Sequence, residues 1–230
     1  MTSAIIVAAG SSRRMGFDKL TAPLLGKPVI AHALAAFEAC DKVGEIIIVT
    51  RADRVGEMTA LVEKEKFKKV AKVIGGGAER YLSVWEGLRA VSAKANYVAI
   101  HDGARPLVTP EMICKCLALA EETSAACLAS PIPETVKRAD KNGIVKESVE
   151  RSGLWAMQTP QIFSAALIVQ AYAALVAGHE PVTDEVSAVQ RIGKPISLLR
   201  SEDWNIKITF PKDLELAQQV LTLRSGKRKK

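Results

Sequence analysis

The sequence predicts an α/β fold, a Rossmann-like and mostly parallel sheet that carries helices on both faces. Short, nearly continuous apolar runs alternate with longer segments in which apolar residues recur at helical spacing. Such runs are typical of parallel strands buried on both faces, and their alternation with helices is typical of βαβ units. The 230 residues are 48% hydrophobic but only 5% aromatic, so we expect a substantial core of aliphatic side chains.

The alternation is regular as far as Pro131. We predict strands at 4–8, 45–50, 70–74, 97–101 and 125–129, and helices at 29–39, 55–65, 79–92 and 110–122. Pro110 at the start of the fourth helix supports that boundary, because the first turn of a helix does not need its N–H group.

Residues 134–139 and 144–148 have a different pattern, in which polar and apolar residues alternate around an Asn142–Gly143 turn signal. They predict a β-hairpin that is too polar to lie in the core. Because an isolated hairpin is only marginally stable in water, we expect it to pack against a second subunit. The α/β pattern then resumes with strands at 156–159 and 196–199 and helices at 164–177, 184–191 and 211–223.

The four cysteines are expected to be buried free thiols, as is typical of a reducing cytosol. They are Cys40, Cys114, Cys116 and Cys127, and none forms a C-x-x-C pair or has a histidine at zinc spacing. The apolar run 4–9 is too short for a signal peptide, and no stretch approaches the ~20 apolar residues of a membrane span. We therefore expect a soluble cytoplasmic protein without a membrane partner.

A formal net charge of +7 and a pI of about 9.3 make nucleic-acid binding one class of function to consider. Such a site needs basic residues spread over one face and binds with a steep salt dependence. Here five of the positive charges lie in residues 224–230, which leaves +2 for residues 1–223. We therefore predict a single domain at 1–223, a disordered basic tail at 224–230, and no nucleic-acid partner.

A loop of small and basic residues follows the first strand, at the end of the sheet where open α/β folds bind ligands. It reads A-A-G-S-S-R-R-M-G from Ala8 to Gly16, and Lys19 follows shortly afterwards. Consecutive backbone N–H groups and cations can wrap a polyphosphate, although neither a Walker A nor a dinucleotide-binding motif is present. An ordinary solvated turn is the alternative interpretation of the loop taken alone.

Asp102 and Arg105 follow the fourth strand in the segment H-D-G-A-R-P. Asp102 is placed to hold Mg²⁺, and Arg105 is placed to meet a second anion. The alternative is a capping aspartate that pairs with Arg105. His101 has no second base or metal partner in the sequence, so we expect it to be structural.

Two further segments can contribute to the same site. Gly76 and Gly77 open the third helix and can admit a flat base against the backbone, with Ser83 as its hydrogen-bond partner; a helix start without a ligand is the alternative. Lys207 lies in a strand-like stretch, N-I-K-I-T, where it either keeps an edge strand soluble or points into a phosphate site. Together these groups suit nucleotidyl or phosphoryl transfer by positioning and electrostatics, without a covalent intermediate.

Five motifs resemble those of one family in their order and spacing. They are A-A-G-x-x-x-R-M-G, G-G-G-A-E-R-x-x-S, H-D-G-A-R-P, E-R-S-G-L-W-A-M-Q-T-P-Q and N-I-K-I-T-x-P. The family is 2-C-methyl-D-erythritol 4-phosphate cytidylyltransferase, of the non-mevalonate isoprenoid pathway, and the similarity covers about residues 3–223. The first motif alone marks only the wider nucleotidyltransferase superfamily, whereas the third followed by the fourth is much more specific.

The resemblance implies a fold of the nucleotide-diphospho-sugar transferase type and the transfer of CMP from CTP to methylerythritol phosphate, with release of pyrophosphate. Arg14 and Lys19 would bind the triphosphate and stabilise charge at the α-phosphorus. Asp102 would hold Mg²⁺ or another divalent cation. The nucleotide would also be held by Ala8, Ala9, Gly10, Gly76, Gly77 and Ser83.

The resemblance also implies a homodimer. Residues 132–152 would form an arm that embraces the second subunit, so that Thr135 and Arg151 act in the neighbour's site. Methylerythritol phosphate would be positioned for in-line attack by Arg105, Thr135, Arg151, Thr183 and Lys207. The catalytic cations, which cancel the repulsion between two anions, would be Arg14, Lys19, Arg151 and Lys207.

Two alternatives stay open beside this interpretation. A cytidylyltransferase for ribitol or another polyol phosphate shares the fold and the first loop, and a panel of substrates separates the two. A non-enzymatic nucleotide-binding regulator would lack one of Arg14, Lys19, Asp102 or Lys207, and all four are present.

Overall fold

The structure is a computed structural model that describes residues 1–10, 15–179 and 181–227. Its strands are β1 (Thr2–Ala8), β2 (Pro23–Leu24), β3 (Lys27–Pro28), β4 (Val43–Thr50), β5 (Val70–Gly75), β6 (Tyr97–Asp102), β7 (Ala125–Pro131), β8 (Val136–Ala139), β9 (Val145–Val149), β10 (Trp155–Ser164) and β11 (Ser197–Arg200). Its helices are α1 (Val29–Glu38), α2 (Val55–Glu65), α3 (Arg80–Ala90), α4 (Pro110–Thr123), α5 (Ala165–Ala177), α6 (Glu185–Arg191) and α7 (Pro211–Lys227).

The main sheet has the strand order β11-β7-β10-β6-β1-β4-β5. β1 is parallel to β4 and β6, β4 is parallel to β5, and β7 is parallel to β11. Only β10 runs the other way within this sheet, antiparallel to β6 and β7. The predicted Rossmann-like, mostly parallel sheet is therefore confirmed.

Helices cover both faces of the sheet because successive residues of a strand point to opposite sides. On β1, Ile6 packs in a cluster with α1, α2 and α4, whereas Ile5 packs in a cluster with α3, α5 and α6. Both isoleucines are fully buried. Ala, Val, Ile and Leu make up most of the two clusters, as the low aromatic content predicts.

The functional edge of the sheet is set by the position of β1. From β1 the chain continues to β4 and β5 on one side, and it then returns to β6 on the other side of β1. The strand order therefore reverses at β1. Val7 pairs with Asp102, which brings the loop after β1 to the end of β6. Open α/β sheets bind their ligands in the crevice at such a switch point.

β10 is longer than the strand predicted at 156–159, although it contains Pro160. A proline inside a strand removes an N–H group from the ladder, which is why the sequence pattern indicated a shorter element. The ladder with β7 is interrupted between Met157 and Gln161, so Pro160 lies where that N–H group is not needed.

The stretch 205–209 is not a strand, contrary to the sequence prediction. Its contacts are irregular: the Asn205 side chain donates to the Thr159 carbonyl over 2.8 Å, and the Ile208 N–H donates to the Ala104 carbonyl over 2.8 Å. Ile208 is fully buried in a third cluster, with Leu107 and residues of α7. The edge-strand interpretation of Lys207 is therefore wrong.

Helix α7 continues to Lys227, beyond the predicted end at residue 223. Arg224 fixes this last turn, because its guanidinium donates to the Leu107 carbonyl over 2.7 Å and to the Asp203 carboxylate over 2.7 Å. Residues 224–227, which were expected to belong to a disordered tail, are therefore helical. Residues 228–230 lie outside the described part of the chain.

The predicted hairpin is confirmed as the antiparallel pair β8–β9, which is separate from the main sheet. In its turn, the Asp140 carboxylate accepts from the backbone N–H groups of Asn142 and Ile144, and Gly143 has a φ of +79° that favours glycine. Most residues of the two strands are exposed. The second subunit expected to cover them stays a prediction.

All four cysteines are free thiols, as predicted. Cys40, Cys116 and Cys127 are buried, whereas Cys114 is only partly buried, with its sulfur 3.3 Å from that of Cys40. Within the described residues, no helix has the length and apolar character needed to cross a membrane.

Candidate active site

A cavity of about 330 Å³ lies at the carboxyl ends of β1 and β6. Eight of the predicted site residues line it, namely Ala8, Ala9, Gly10, Lys19, Gly77, Ser83, Asp102 and Lys207. Val7, Leu20, Ala78, Glu79, Arg80 and Ala104 complete the lining. The structure thus brings together residues that are separated by up to 200 positions in the sequence, and the role of each one stays a prediction.

Asp102 is the acidic centre of this cavity. It is the last residue of β6, it is 6% exposed, and its backbone N–H donates to the Thr159 hydroxyl over 3.1 Å. Lys207 Nζ lies 2.7 Å from Oδ2, and Arg80 Nη2 lies 3.2 Å from Oδ1. Arg105 Nε lies 3.6 Å from Oδ2. One carboxylate therefore faces three cations.

The charge on Asp102 depends on these neighbours. Burial alone would raise the pKa of the carboxyl group, because it penalises the charged form. The positive charges of Arg80, Lys207 and Arg105 outweigh that effect and hold the pKa well below its ordinary value of 3.8. Asp102 is thus ionised at neutral pH and can serve as a metal ligand.

Lys207 reaches the cavity because its neighbour along the chain is anchored. Ile208 is fully buried in the third core cluster, and Lys207 contacts Asp102 while 37% of its side chain stays exposed. Lys19 approaches from the loop after β1, with its ammonium donating to the Ile208 carbonyl over 2.8 Å. Asp18 holds the backbone next to Lys19 by accepting from the Leu20 N–H over 3.1 Å. Two lysine ammonium groups therefore line the cavity next to the 207–208 segment.

Arg80 and Glu185 are site residues that the sequence analysis missed. Arg80 begins α3, and its Nη1 and Nη2 lie 2.5 and 3.2 Å from the two carboxylate oxygens of Glu185. Burial opposes the charge of Arg80, but Glu185 and Asp102 outweigh it and raise its pKa above the ordinary value. Arg80 in a glycine-rich turn could have been noticed in the sequence, whereas Glu185, at the start of a helix 105 residues away, gave no signal.

The glycine loop packs tightly against α3. A Cβ atom on Gly76 would lie 2.5 Å from Ser83 Oγ, and one on Gly77 would lie 2.4 Å from Leu82 Cβ. Ser83 is buried and its hydroxyl donates to the Glu79 carbonyl over 3.1 Å. The two glycines are thus required by close packing, whether or not a base binds beside them.

Arg105 lies beside the cavity with 11% of its side chain exposed, but it does not line the cavity. Its guanidinium donates to the Asn205 carbonyl over 2.8 Å and to the Met157 carbonyl over 3.4 Å. Burial lowers its pKa, and the nearby Asp102 carboxylate partly offsets that effect. In this structure Arg105 therefore links the end of β6 to the segment that carries Lys207.

Among the described residues, three predicted site residues, Thr135, Arg151 and Thr183, do not line the cavity of this chain. Thr135, Arg151 and Thr183 are exposed, and the Arg151 guanidinium contacts the Pro133 carbonyl at the base of the hairpin. Arg14 lies outside the described residues. An action of Thr135 and Arg151 in a neighbouring subunit stays a prediction.

His101 is structural in this arrangement, as expected. It is fully buried, its Nδ1 lies 3.0 Å from the Thr159 hydroxyl, and its Nε2 lies 3.2 Å from the Arg105 carbonyl. Burial lowers its pKa to about 4, so the ring is neutral at physiological pH. The ring thus connects Thr159 and Arg105, and both of these residues contact Asp102.

The donor set of the cavity fits Mg²⁺ rather than a metal held by protein alone. Within residues 1–10, 15–179 and 181–227, no cluster of three His, Cys, Asp or Glu side chains could hold a metal ion. Mg²⁺ is commonly bound through one or two carboxylates together with substrate phosphates. A single ionised Asp102 beside a loop suited to phosphates matches that requirement.

An open α/β sheet with a cation-rich crevice at its switch point defines a nucleotide-binding protein of the nucleotidyltransferase class. The family model described as "IspD: 2-C-methyl-D-erythritol 4-phosphate cytidylyltransferase" matches residues 2–223. The chain therefore belongs to the 2-C-methyl-D-erythritol 4-phosphate cytidylyltransferase family. The matched residues include every strand of the main sheet.

Individual relatives agree with this assignment. The chain is 38% identical to the 2-C-methyl-D-erythritol 4-phosphate cytidylyltransferase of Alkaliphilus oremlandii over 98% of both chains. It is 41% identical to that of Symbiobacterium thermophilum, over 95% of this chain and 92% of the relative. The crystal structure of 4-diphosphocytidyl-2C-methyl-D-erythritol synthase from Anaerococcus prevotii is 29% identical, with a TM-score of 0.84 over 96% of this chain and 98% of that one.

Proposed function

We propose that this protein transfers CMP from CTP to 2-C-methyl-D-erythritol 4-phosphate, which gives 4-diphosphocytidyl-2-C-methyl-D-erythritol and pyrophosphate. The observation that carries the proposal is the ionised Asp102 carboxylate, which contacts Lys207 and Arg80 in a cavity that is also lined by Lys19 and by Ala8, Ala9 and Gly10. Family membership supports the choice of CTP and methylerythritol phosphate as the two substrates.

The reaction brings two anions together, so cancelling their repulsion is the main task of the protein. Lys19 and Lys207 both line the cavity, where they can bind the triphosphate and the incoming phosphate. Arg14 would add a third positive charge from the loop after β1. The attacking phosphate oxygen is already ionised at neutral pH, so the reaction does not require a general base.

Asp102 would hold Mg²⁺ in company with the phosphates of CTP, with another divalent cation as a substitute. When bound, the ion supplies charge neutralisation at the reacting phosphates and orients them for in-line displacement. Asp102 contributes a fixed negative charge at the end of β6. Of the three cations around Asp102, Lys207 has the most exposed side chain, so it can turn from Asp102 towards a phosphate.

The nucleotide would lie along the loop after β1 and the glycine loop before α3. Backbone groups at Ala8, Ala9 and Gly10 would contact the nucleoside, and the cytosine would lie against Gly76 and Gly77 near Ser83. The tight packing of this glycine loop on α3 supports a rigid surface for the base.

We further propose a cytoplasmic homodimer in which the arm 132–152 reaches the second subunit. The exposure of β8 and β9, with Ile144 and Val145 each 59% exposed, supports an interface at this hairpin. Thr135 and Arg151 would then complete the methylerythritol phosphate site of the neighbour, together with Arg105, Thr183 and Lys207 of that subunit.

The proposal is tested by measuring pyrophosphate release from CTP and Mg²⁺ with a panel of acceptors. We expect turnover with methylerythritol phosphate and little with ribitol phosphate or without an acceptor. Lys207→Ala should lower kcat by about 100-fold or more, because it removes one aimed cation. Lys212→Ala, on an exposed residue of α7, is the matched control and should behave as wild type. Turnover with ribitol phosphate but not with methylerythritol phosphate as the acceptor would contradict the assignment.

A further inference from the structure

Glu185 is a fully buried acid that the proposed mechanism does not use. Its oxygens contact Arg80 Nη1 and Nη2 at 2.5 and 3.2 Å, and Oε1 also accepts from the Tyr172 hydroxyl over 3.1 Å. A charged carboxylate is costly to bury without such partners. Its presence under the cavity therefore calls for a reason beyond packing.

The position of Glu185 is firmly fixed. It is the first residue of α6, where the Asp184 side chain caps the helix by accepting from the Ser187 N–H over 3.0 Å. The next residue, Val186, donates its N–H to the buried Gln161 side chain over 3.1 Å. Glu185 is thus held by the helix cap on one side and by β10 on the other.

Arg80 is shared between two carboxylates. Its Nη2 lies 3.2 Å from Glu185 Oε2 and also 3.2 Å from Asp102 Oδ1, while its closest contact is to Glu185. Because Glu185 compensates the charge of Arg80, the three groups together carry one net negative charge. That charge lies at Asp102, which lines the cavity together with Arg80 and also faces Lys207 and Arg105.

We propose that Glu185 is a positioning residue that holds Arg80 and so limits the positive charge that competes with a divalent cation for Asp102. Without Glu185, Arg80 has Asp102 as its remaining carboxylate partner among these groups, and the positive charge around Asp102 rises by one unit. The inference rests on the proposed role of Asp102 in holding the metal ion. It predicts that neutralising Glu185 weakens metal binding although Glu185 itself does not touch the metal.

The test is the Mn²⁺ concentration that supports half-maximal binding of radiolabelled CTP, measured by equilibrium dialysis without methylerythritol phosphate so that no turnover occurs. Glu185→Gln should raise this concentration by about tenfold or more, because it removes one charge close to the site. Tyr172→Phe is the matched control, since it removes the other hydrogen bond to Glu185 and keeps the ion pair. It should lower the melting temperature and leave the Mn²⁺ requirement within about twofold of wild type.

A double variant makes the test independent of the stability of the single one. Arg80→Gln with Glu185→Gln removes both charges, which restores the net charge around Asp102, and we expect an Mn²⁺ requirement within about threefold of wild type. A wild-type requirement in Glu185→Gln, an equal rise in Tyr172→Phe, or a tenfold rise in the double variant would overturn the inference. If wild type binds no CTP with Mn²⁺, the proposed function itself fails, which is a separate result.

Discussion

Replacing Asp102 by asparagine removes the charge on which the site is built while keeping its shape. Lys207 and Arg80 lie 2.7 and 3.2 Å from its oxygens, which corresponds to gross attractions of about 5–6 kcal/mol each at an effective dielectric of ~20. Most of this attraction offsets the cost of burial. Removing one partner of a buried pair costs ~3–5 kcal/mol, and we expect the lower end because Lys207 can turn to solvent.

Two measurements on Asp102→Asn separate stability from function. Chemical denaturation at pH 7 should give a free energy of unfolding lower by ~3 kcal/mol, and the Mg²⁺-dependent kcat should fall by about 100-fold or more. Binding of CTP without a metal ion should not weaken, because the site becomes more positive. Asp203→Asn, in an exposed pair with Arg224, is the control and should cost under ~1 kcal/mol.

The pH dependence of the same variant has a definite sign. The pKa of Asp102 in the folded protein lies below its ordinary value of 3.8, so the stability it contributes is present above that pH and is lost as the pH falls further. The difference in unfolding free energy between wild type and Asp102→Asn should therefore shrink below about pH 4. Mg²⁺-dependent turnover within threefold of wild type, or a stability difference that grows at acidic pH, would refute this reasoning.

Three further predictions concern other parts of the molecule. His101 is buried with a pKa lowered to about 4 from 6.5, so wild type should lose ~3 kcal/mol of stability as the pH falls between these values, and His101→Gln should show a flatter profile in denaturation experiments. Gly76→Ala places a Cβ atom 2.5 Å from Ser83 Oγ, so it should cost ~1–3 kcal/mol of stability and raise the KM for CTP; an unchanged KM would argue against a nucleotide at this loop. If the arm acts in the neighbouring subunit, co-expression of the inactive Arg151→Ala and Lys207→Ala chains should restore about a quarter of wild-type activity. Half of the dimers then contain one chain of each kind, and one of the two sites in each such dimer is complete. No recovery would place Arg151 in the site of its own chain.

The sheet could be predicted from sequence because each of its strands has a recognisable local pattern. In the predicted strand 45–50, for example, residues 46–49 are all apolar, and burial on both faces explains that pattern. β10 was underestimated because the cost of Pro160 depends on where its partner strand interrupts the ladder, which the local sequence does not contain. The stretch 205–209 was misjudged for a similar reason, since its alternation reflects the anchoring of Ile208 rather than a strand.

The cavity was predictable where strand ends supply its residues. Ala8 to Gly10 and Asp102 follow apolar strands, and parallel strands bring their carboxyl ends to one edge. Glu185 could not be found in this way, because its function arises from contact with Arg80 across 105 positions and from burial. Long-range charge pairing of this kind has no local sequence signal.

The proposed transfer of CMP has products that can be observed directly by ³¹P nuclear magnetic resonance. Incubation of the protein with CTP, methylerythritol phosphate and Mg²⁺ should convert both substrates into equal amounts of inorganic pyrophosphate and a cytidylyl diphosphate diester, which gives a pair of coupled phosphorus signals. Unchanged substrates, or inorganic phosphate formed in place of pyrophosphate, would contradict the assignment of this cavity to CMP transfer.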